Sequence, residues 1–492
     1  MHLQRIQVPD FRVLKDVDIT FEKEFVPRIF PLGSLNGGGK STLLQLIFVL
    51  LHCSIDSDRT VFLKNMLNGF KIHENSDKKV IAIVDVWDGE KNVALDFFSC
   101  KDSYIRNLLD QDGDSEVSDE VDDYEHLRFS VLEETKNIKD EASVREKNVY
   151  EIIDSFQKLT KFQDIRDDKK RNSLATEEVL RLRLYGVEVS TTIDSPFEKI
   201  QAAIQEELIA ANIKFTELQS KYKELEFYSH KVHGYLQAEK LIYICNYSVS
   251  ENEDENEVLL CHVDNVNINE AESFLEELSQ KVFLAAPATQ VFLFISKGSR
   301  KLLFRDIRNY ESKGGNSYYS ELQFAKSELS GFFAYDFLAV DLLIESFKAA
   351  RDRDFKEALE TGNYGNNYKE LRNELNVMLT NKRIHLNIDI PEINFKLDRD
   401  GKTIELLPED LSHGELKRLS IYMWLKYHNI ENAIVLMDEI EIAFHPDWQY
   451  QIISDLKQWA PNNQYIVATH SYELCQALTP SHVKELEPKL LK

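Results

Sequence analysis

Four short segments of this 492-residue chain combine residue types and spacings that can handle a triphosphate. The first is Gly33-Ser34-Leu35-Asn36-Gly37-Gly38-Gly39-Lys40-Ser41-Thr42, which follows an apolar run and opens a helical one. Glycines let backbone N–H groups turn inward on phosphate oxygens, a lysine meets β/γ charge, and a hydroxyl can sit on Mg²⁺. Lys40 and Ser41 fill the last two roles. Ser34 stands where the strict pattern has glycine, with Gly33 one residue earlier. The second segment, Ala433–Glu439, is an apolar strand ending in two acids: Asp438 would reach the Mg²⁺, and Glu439 would orient and deprotonate the attacking water. The third, Leu411-Ser412-His413-Gly414-Glu415, begins 27 residues before Asp438 and opens a helix, offering a hydroxyl and N–H groups to a γ-phosphate. The fourth, Val467-Ala468-Thr469-His470-Ser471, ends an apolar strand with an imidazole that could sense that phosphate.

Taken singly, each segment has a structural reading: a glycine-rich turn, a buried strand, a helix start, a histidine at a strand end. Their order carries the weight, with the last three inside about sixty residues.

The elements that must position these residues follow from periodicity. Leu3–Val8 and Val17–Phe21 alternate as strands, as do Lys79–Val86 and Val93–Phe98, and Ser41–His52 reads as an almost wholly apolar helix. From Ile204 to Leu236 a 4-3 apolar spacing, broken only at Ser229, predicts a coiled-coil-like helix about 50 Å long. It would pack on shorter helices nearby or pair with another subunit. Further strands are expected at Lys240–Tyr247, Glu257–Val263, Val291–Ile295, Ile393–Leu397 and Thr403–Leu406, the last two joined by an Asp400-Gly401 turn. Phe332–Phe347, interrupted by acids, reads as a buried helix. Three parts result: 1–195, with the first segment, a β lobe and an acidic loop; 196–375, an insertion domain; and 376–492, with the other three segments, the first and last parts being the two halves of a head on the resemblance given below.

Composition narrows the classes. A net charge of −25 repels nucleic acid and anionic membranes, so DNA contact would need a local basic patch. Two are visible, Lys297/Arg300/Lys301/Arg305/Arg308 and Lys169/Lys170/Arg171, and each also reads as a solvated face. Asp110–Glu125 holds nine carboxylates and no base, a solvated loop rather than a calcium site, because the EF-hand glycine and final glutamate positions hold Ser115 and Val121. Five dispersed cysteines suggest reduced thiols. No signal peptide or membrane-spanning run is evident, and cytoplasm is the expected compartment.

Together the four segments resemble the phosphate loop, signature, Walker B and switch histidine of the ABC ATPase family. That resemblance implies an α/β fold: an ABC-type head with a mixed sheet, flanking helices and an antiparallel β lobe, plus a largely helical, coiled-coil insertion. It implies ATP and Mg²⁺ as cofactors, with Asn36, Gly37, Gly38, Gly39, Lys40, Ser41 and Thr42 lining the nucleotide and Ser41 and Asp438 on the metal. Lys40, Glu439 and His470 would be catalytic, and Ser412, Gly414 and Glu415 would act on nucleotide held by a second head. The 372 residues between Lys40 and Ser412 are similar to the SMC, RecF and OLD group rather than to transport ATPases. So is the opening Ile6–Asp16 with its Phe11-Arg12 pair, which would bring Arg12 near the nucleotide. Asp438-Glu439-Ile440-Glu441-Ile442-Ala443-Phe444-His445-Pro446 is similar to the OLD/RecF D-E-x-E-x-x-L-H-P pattern, with Phe444 for leucine. Gln157, Gln163 and Gln290 are all candidates for the Q-loop glutamine.

OLD nucleases carry a Toprim domain after the histidine. Only twenty-two residues follow His470 here, so the chain is not itself expected to cut nucleic acid. The layout resembles the PtuA ATPases of Septu and retron-associated anti-phage systems. That implies paired heads in a homo-oligomer, an HNH nuclease partner of the PtuB kind, a retron reverse transcriptase with its nucleic acid, and no membrane. The alternative is a RecF- or SMC-like repair or recombination ATPase that binds DNA directly.

Overall fold

The computed structural model describes residues 1–34, 37–105, 128–192, 195–248, 256–302, 318–335, 339–379, 381–386, 393–399 and 402–486. Asn36, the acidic stretch Asp110–Glu125, Arg305, Arg308 and the Asp400-Gly401 turn lie outside them. The chain forms two compact units, Met1–Cys100 with Lys240–Lys492, and Lys101–Glu239.

The first unit keeps its two kinds of sheet apart. Strands β1 (His2–Phe11), β2 (Leu14–Thr20), β4 (Lys78–Trp87), β5 (Asn92–Cys100), β6 (Leu241–Ser248) and β7 (Asn256–Asp264) make an antiparallel sheet in the order β2-β1-β4-β5-β7-β6. Alternation drives it: Ile6 and Val8 are buried, while Arg5 and Asp18 pair on the open face at 2.6 Å. A second sheet is parallel throughout, in the order β15-β3-β14-β13-β8-β9. Its strands are β3 (Ile29–Gly33), β8 (Val282–Ala286), β9 (Phe332–Ala334), β13 (Ile434–Asp438), β14 (Gln464–Ala468) and β15 (Lys484–Glu485). All five residues of β13 and of β14 are buried, the continuous pattern of strands covered on both faces. Helix α1 (Lys40–Cys53) packs on this sheet with every residue but Ser41 buried, which accounts for its almost wholly apolar run. A third, three-stranded sheet joins β10 (Lys382–Leu386), β11 (Ile393–Arg399) and β12 (Lys402–Leu406).

Two expected elements differ. Val291–Ile295 is not a strand; the parallel strand lies earlier, at Val282–Ala286, and 291–295 is a buried bend whose Phe292 and Leu293 N–H groups donate to Gln45 Oε1 at 3.0 and 2.9 Å. Phe332–Phe347 opens as strand β9 and becomes helical only from Ala339, since its aromatic start pairs with β8. The division also falls at 101 and 239 rather than 196 and 375. Strands β6 to β9 complete the two sheets of the head, so residues 240–375 do not form a separate insertion.

The second unit is helical. Its α5 (Phe197–Ala238) runs antiparallel to α3 (Ser130–Phe162), with α4 (Asp168–Leu184) packed against both. Val131 and Ile138, early in α3, meet Leu225 late in α5, while Ile152 and Leu159 meet Phe197, Ile200 and Ile204. The coiled-coil stripe therefore has its partner in the same chain. It escaped the heptad reading because α3 buries no residue between Ile138 and Val149. Ile152→Ala removes a fully buried side chain from this core and is expected to destabilise the unit by about 2–5 kcal/mol. Urea unfolding followed by circular dichroism reads this directly, and an unchanged midpoint would contradict the packing.

Candidate nucleotide site

The strand register aligns the ends of four strands. Leu32 of β3 pairs with Ala468 of β14, Ala468 with Asp438 of β13, and Met437 with Ala285 of β8. The loops leaving these ends carry Ser34 and Gly37–Gly39, Thr469-His470, Glu439 and Gln290. This is the carboxyl edge at which parallel α/β sheets collect their ligands. Gln290 lies on the loop that leaves β8, whereas Gln157 and Gln163 belong to the helical unit.

At the start of α1 no side chain caps the helix, so its first N–H groups face the loop and form an anion cradle. Gly37 and Gly39 have φ of 79° and 89°, a left-handed conformation that other residues enter at a cost. Gly39 is also crowded: a Cβ there would fall 2.7 Å from Leu14 and 3.0 Å from Val13. The β1–β2 turn therefore lies on the phosphate loop. Arg12, in that turn, donates to Met66 O at 2.7 Å, on helix α2 (Thr60–Leu67). Lys40 is buried, and its Nζ folds back onto Ser34 O (3.2 Å) and Ser34 Oγ (3.0 Å). Ser34 thus gives the lysine two acceptors, one of which glycine would lack. Burial lowers the Lys40 pKa, opposed by the charges of Asp438, Glu441 and Glu439. Thr42 is buried in the first turn of α1.

Ser41 Oγ donates to Asp438 Oδ1 at 3.1 Å, joining segments 397 positions apart. Asp438 is 1% exposed and its Oδ2 has no hydrogen-bond partner among the described residues. Burial pushes its pKa up to about 7, with Glu439 and Glu441 adding to the rise and Ser41 and Lys40 opposing it. A bare buried carboxylate oxygen beside a serine hydroxyl is a donor set that fits a hard, oxygen-loving cation such as Mg²⁺.

Beyond Asp438 the chain turns sharply, with Glu439 and Ala443 at φ of 48° and 72°. Non-glycine residues hold such values only when the surroundings over-determine them. Here Lys417, on α6 (His413–Tyr427), donates to Glu439 O at 2.9 Å and Ile442 O at 3.3 Å. Its ammonium also lies 4.1 Å from the Tyr335 ring centroid. Gly414 meets the same turn: a Cβ there would fall 2.6 Å from Ala443 O. Glu441 Oε1 accepts the backbone N–H of His470 at 2.7 Å, whose side chain is exposed.

Ser412 caps α6 by accepting from Glu415 N at 3.2 Å, while Glu415 Oε2 accepts from Ser412 N and Oγ, both at 2.9 Å. Lys382 closes the box at 2.6 Å. Burial opposes the Glu415 charge, yet the Lys382 ammonium and the Ser412 donors hold its pKa below the ordinary value. Among the described residues, no hydrogen bond of Ser412 or Glu415 reaches Lys40, Ser41 or Asp438. The structure thus brings Lys40, Ser41, Asp438, Glu439 and His470 to one edge, sets Gly414 against the turn at Ala443, and leaves Ser412 capping α6.

Three contributors were missed in the sequence. Gln45, fully buried, donates to Gln290 O at 2.7 Å and fixes the loop after β8. Its signal was available, a lone amide inside an apolar helix. Lys417 and Lys382 gave none, being lysines among ordinary helix and strand residues.

A parallel sheet with a phosphate loop, a buried acid on the neighbouring edge and a signature helix behind it defines an SMC/RecF-like ATPase head of the ABC type. The chain belongs to the AAA ATPase domain family described as AAA_15, whose model matches residues 1–475. It is 29% identical over 118 residues to the retron Ec83 probable ATPase of Escherichia coli, covering 24% of this chain and 20% of that one. Against the retron Vc95 probable ATPase of Vibrio cholerae it is 29% identical over 105 residues, covering 19% and 20%. Against the DNA replication and repair protein RecF of Saccharophagus degradans it is 33% identical over 109 residues, covering 21% and 28%. The chain thus spans between a fifth and a third of the length of these relatives. Among the described residues, no helix is long and apolar enough to cross a membrane.

The raised Asp438 pKa has a thermodynamic consequence. Because the folded-state value, about 7, lies above the ordinary 3.8, the native state binds this proton more tightly and loses stability as pH rises between the two. Asp438→Asn keeps an acceptor for Ser41 and removes the charge. Without nucleotide or divalent cation it is expected to melt higher than the parent above pH 7, the gap closing towards pH 4. Scanning calorimetry across that range checks this, and equal melting temperatures at pH 8 would contradict it.

Proposed function

We propose that this chain hydrolyses ATP between two facing heads and uses the resulting closure to control a separate effector, an HNH nuclease, in bacterial anti-phage defence. The observation that carries the ATPase reading is the Ser41–Asp438 hydrogen bond beside a bare Asp438 Oδ2 and the Lys40 ammonium. In this reading the loop Asn36–Thr42 and the start of α1 grip the phosphates, and Lys40 leaves Ser34 for the β/γ oxygens. Glu439 orients and deprotonates the attacking water, and His470 meets the γ-phosphate. Ser41 and Asp438 hold Mg²⁺, which when bound supplies positive charge against the phosphate oxygens. Gln290 reports the nucleotide to the loop after β8, which Gln45 fixes. Arg12 serves indirectly, keeping the β1–β2 turn on the phosphate loop through its bond to Met66.

Support for paired heads comes from Ser412, Gly414 and Glu415, which face other partners than Lys40 within one chain. The exposed Ile442, on the turn after β13, and Tyr472, opening the short helix Tyr472–Gln476, are 51% and 69% accessible and would be covered by a second head. Support for the defence setting comes from the similarity to retron ATPases, which makes a reverse transcriptase and its nucleic acid further companions.

The similarity to RecF favours a second reading, a repair ATPase that grips DNA itself. Against it, Arg171 of the basic cluster on α4 is paired with Asp168 at 2.8 Å and Glu198 at 3.5 Å.

Glu439→Gln is expected to lower phosphate release by about 100- to 10,000-fold and to leave ATP-dependent dimers that persist in analytical ultracentrifugation. Lys40→Ala is expected to give neither turnover nor dimer. Parent-like behaviour of both variants would overturn the scheme. Tight, salt-sensitive binding of bare duplex DNA by the isolated protein would transfer the case to the repair reading.

A further inference from the structure

Glu441 has no assigned task, yet it is built into the nucleotide edge as firmly as Asp438. It is 7% exposed, one oxygen takes the His470 backbone N–H at 2.7 Å, and the other, Oε2, is buried with no partner among the described residues. It lies three residues past Asp438 on the turn leaving β13, and the N–H it holds is that of His470, just past the end of β14. Two buried carboxylates three residues apart thus each have one oxygen satisfied by the protein and, among the described residues, one bare. A purely structural acid would be expected to pair both oxygens or to be replaced by an amide, because an orphaned buried oxygen is costly.

We infer that Glu441 is a positioning residue for the cation–nucleotide complex: Oε1 fixes the His470 backbone, and Oε2 accepts a hydrogen bond from water on the divalent cation. The inference rests on the ATPase reading above and adds a second acid, with a different task, to that of Asp438. One side chain thereby links the cation's hydration to the loop that carries the switch histidine. Loss of the cation would release the tether on His470 from one side without breaking the Ser41–Asp438 bond.

The variant that separates the two oxygens is Glu441→Gln. Its carbonyl keeps the bond to His470 N–H, and its NH₂ group offers a donor where an acceptor is needed. Mn²⁺ serves as the probe, titrated by electron paramagnetic resonance against full-length protein with ADP and, separately, with a non-hydrolysable ATP analogue. The expected result is Mn²⁺ affinity weakened about tenfold in Glu441→Gln, with cation-free nucleotide affinity unchanged and the melting temperature at or above the parent's. Glu441→Asp, which restores the charge on a shorter arm, is expected to recover part of the loss. Parent-like Mn²⁺ affinity in Glu441→Gln would overturn the inference while leaving the ATPase reading standing. Nucleotide-dependent Mn²⁺ binding that is missing in the parent, or identical in Lys40→Ala, would instead remove the ATPase reading and the inference with it.

Discussion

The head depends on a carboxylate that water does not reach. Asp438 ends a fully buried strand, and among the described residues its carboxylate takes a hydrogen bond from one side chain, a hydroxyl in the first turn of α1. That meeting is made by a sheet in which β13 lies beside β14 and β14 beside β3, so that the phosphate loop and Asp438 leave the same edge. It also requires α1 to lie flat on the sheet, which is why thirteen of its fourteen residues are buried, Lys40 among them. Burying a negative charge without full compensation is unfavourable. The cost is tolerated where a cation is part of the working state, and the apolar sheet and helix supply the stability that offsets it.

Much of this was legible in the sequence because it is local. The glycines before Lys40, the apolar run ending at Asp438-Glu439 and the capping box at Ser412–Glu415 each declare themselves within ten residues. The apolar run of α1 was readable, and so were most strands of the antiparallel sheet, where inside and outside alternate. What stayed hidden depends on contacts between distant segments. Val291–Ile295 has strand-like composition, but its backbone N–H groups are taken by Gln45 from α1, whereas Val282–Ala286 slots beside β13. The domain boundary was misjudged for a related reason: β6 and β7 look like part of an insertion until β5 is seen to pair with β7. The partner of α5 was obscured by the polar middle of α3, whose apolar contacts cluster at its two ends.

The turn from Glu439 to Phe444 is where three elements meet. Lys417 and Gly414 hold it from the signature helix, Glu441 ties it to the switch loop, and Gln449 Nε2 donates to Phe444 O at 3.0 Å from α7 (Pro446–Trp459). Left-handed backbone at two non-glycine positions survives because neighbours bind its carbonyls from several sides. A shift of α6 would thus act on the backbone of Glu439 itself.

The parallel sheet sets β3 among strands that follow it by some four hundred residues, and that has a bearing on biosynthesis. The helical unit, made of neighbouring segments, can acquire its structure soon after it leaves the ribosome. The centre of the catalytic sheet cannot, since β13 and β14 emerge some four hundred residues after β3. Until then the phosphate loop has no sheet to stand on, and a nascent or truncated chain would hold apolar edges open to chaperones rather than a nucleotide.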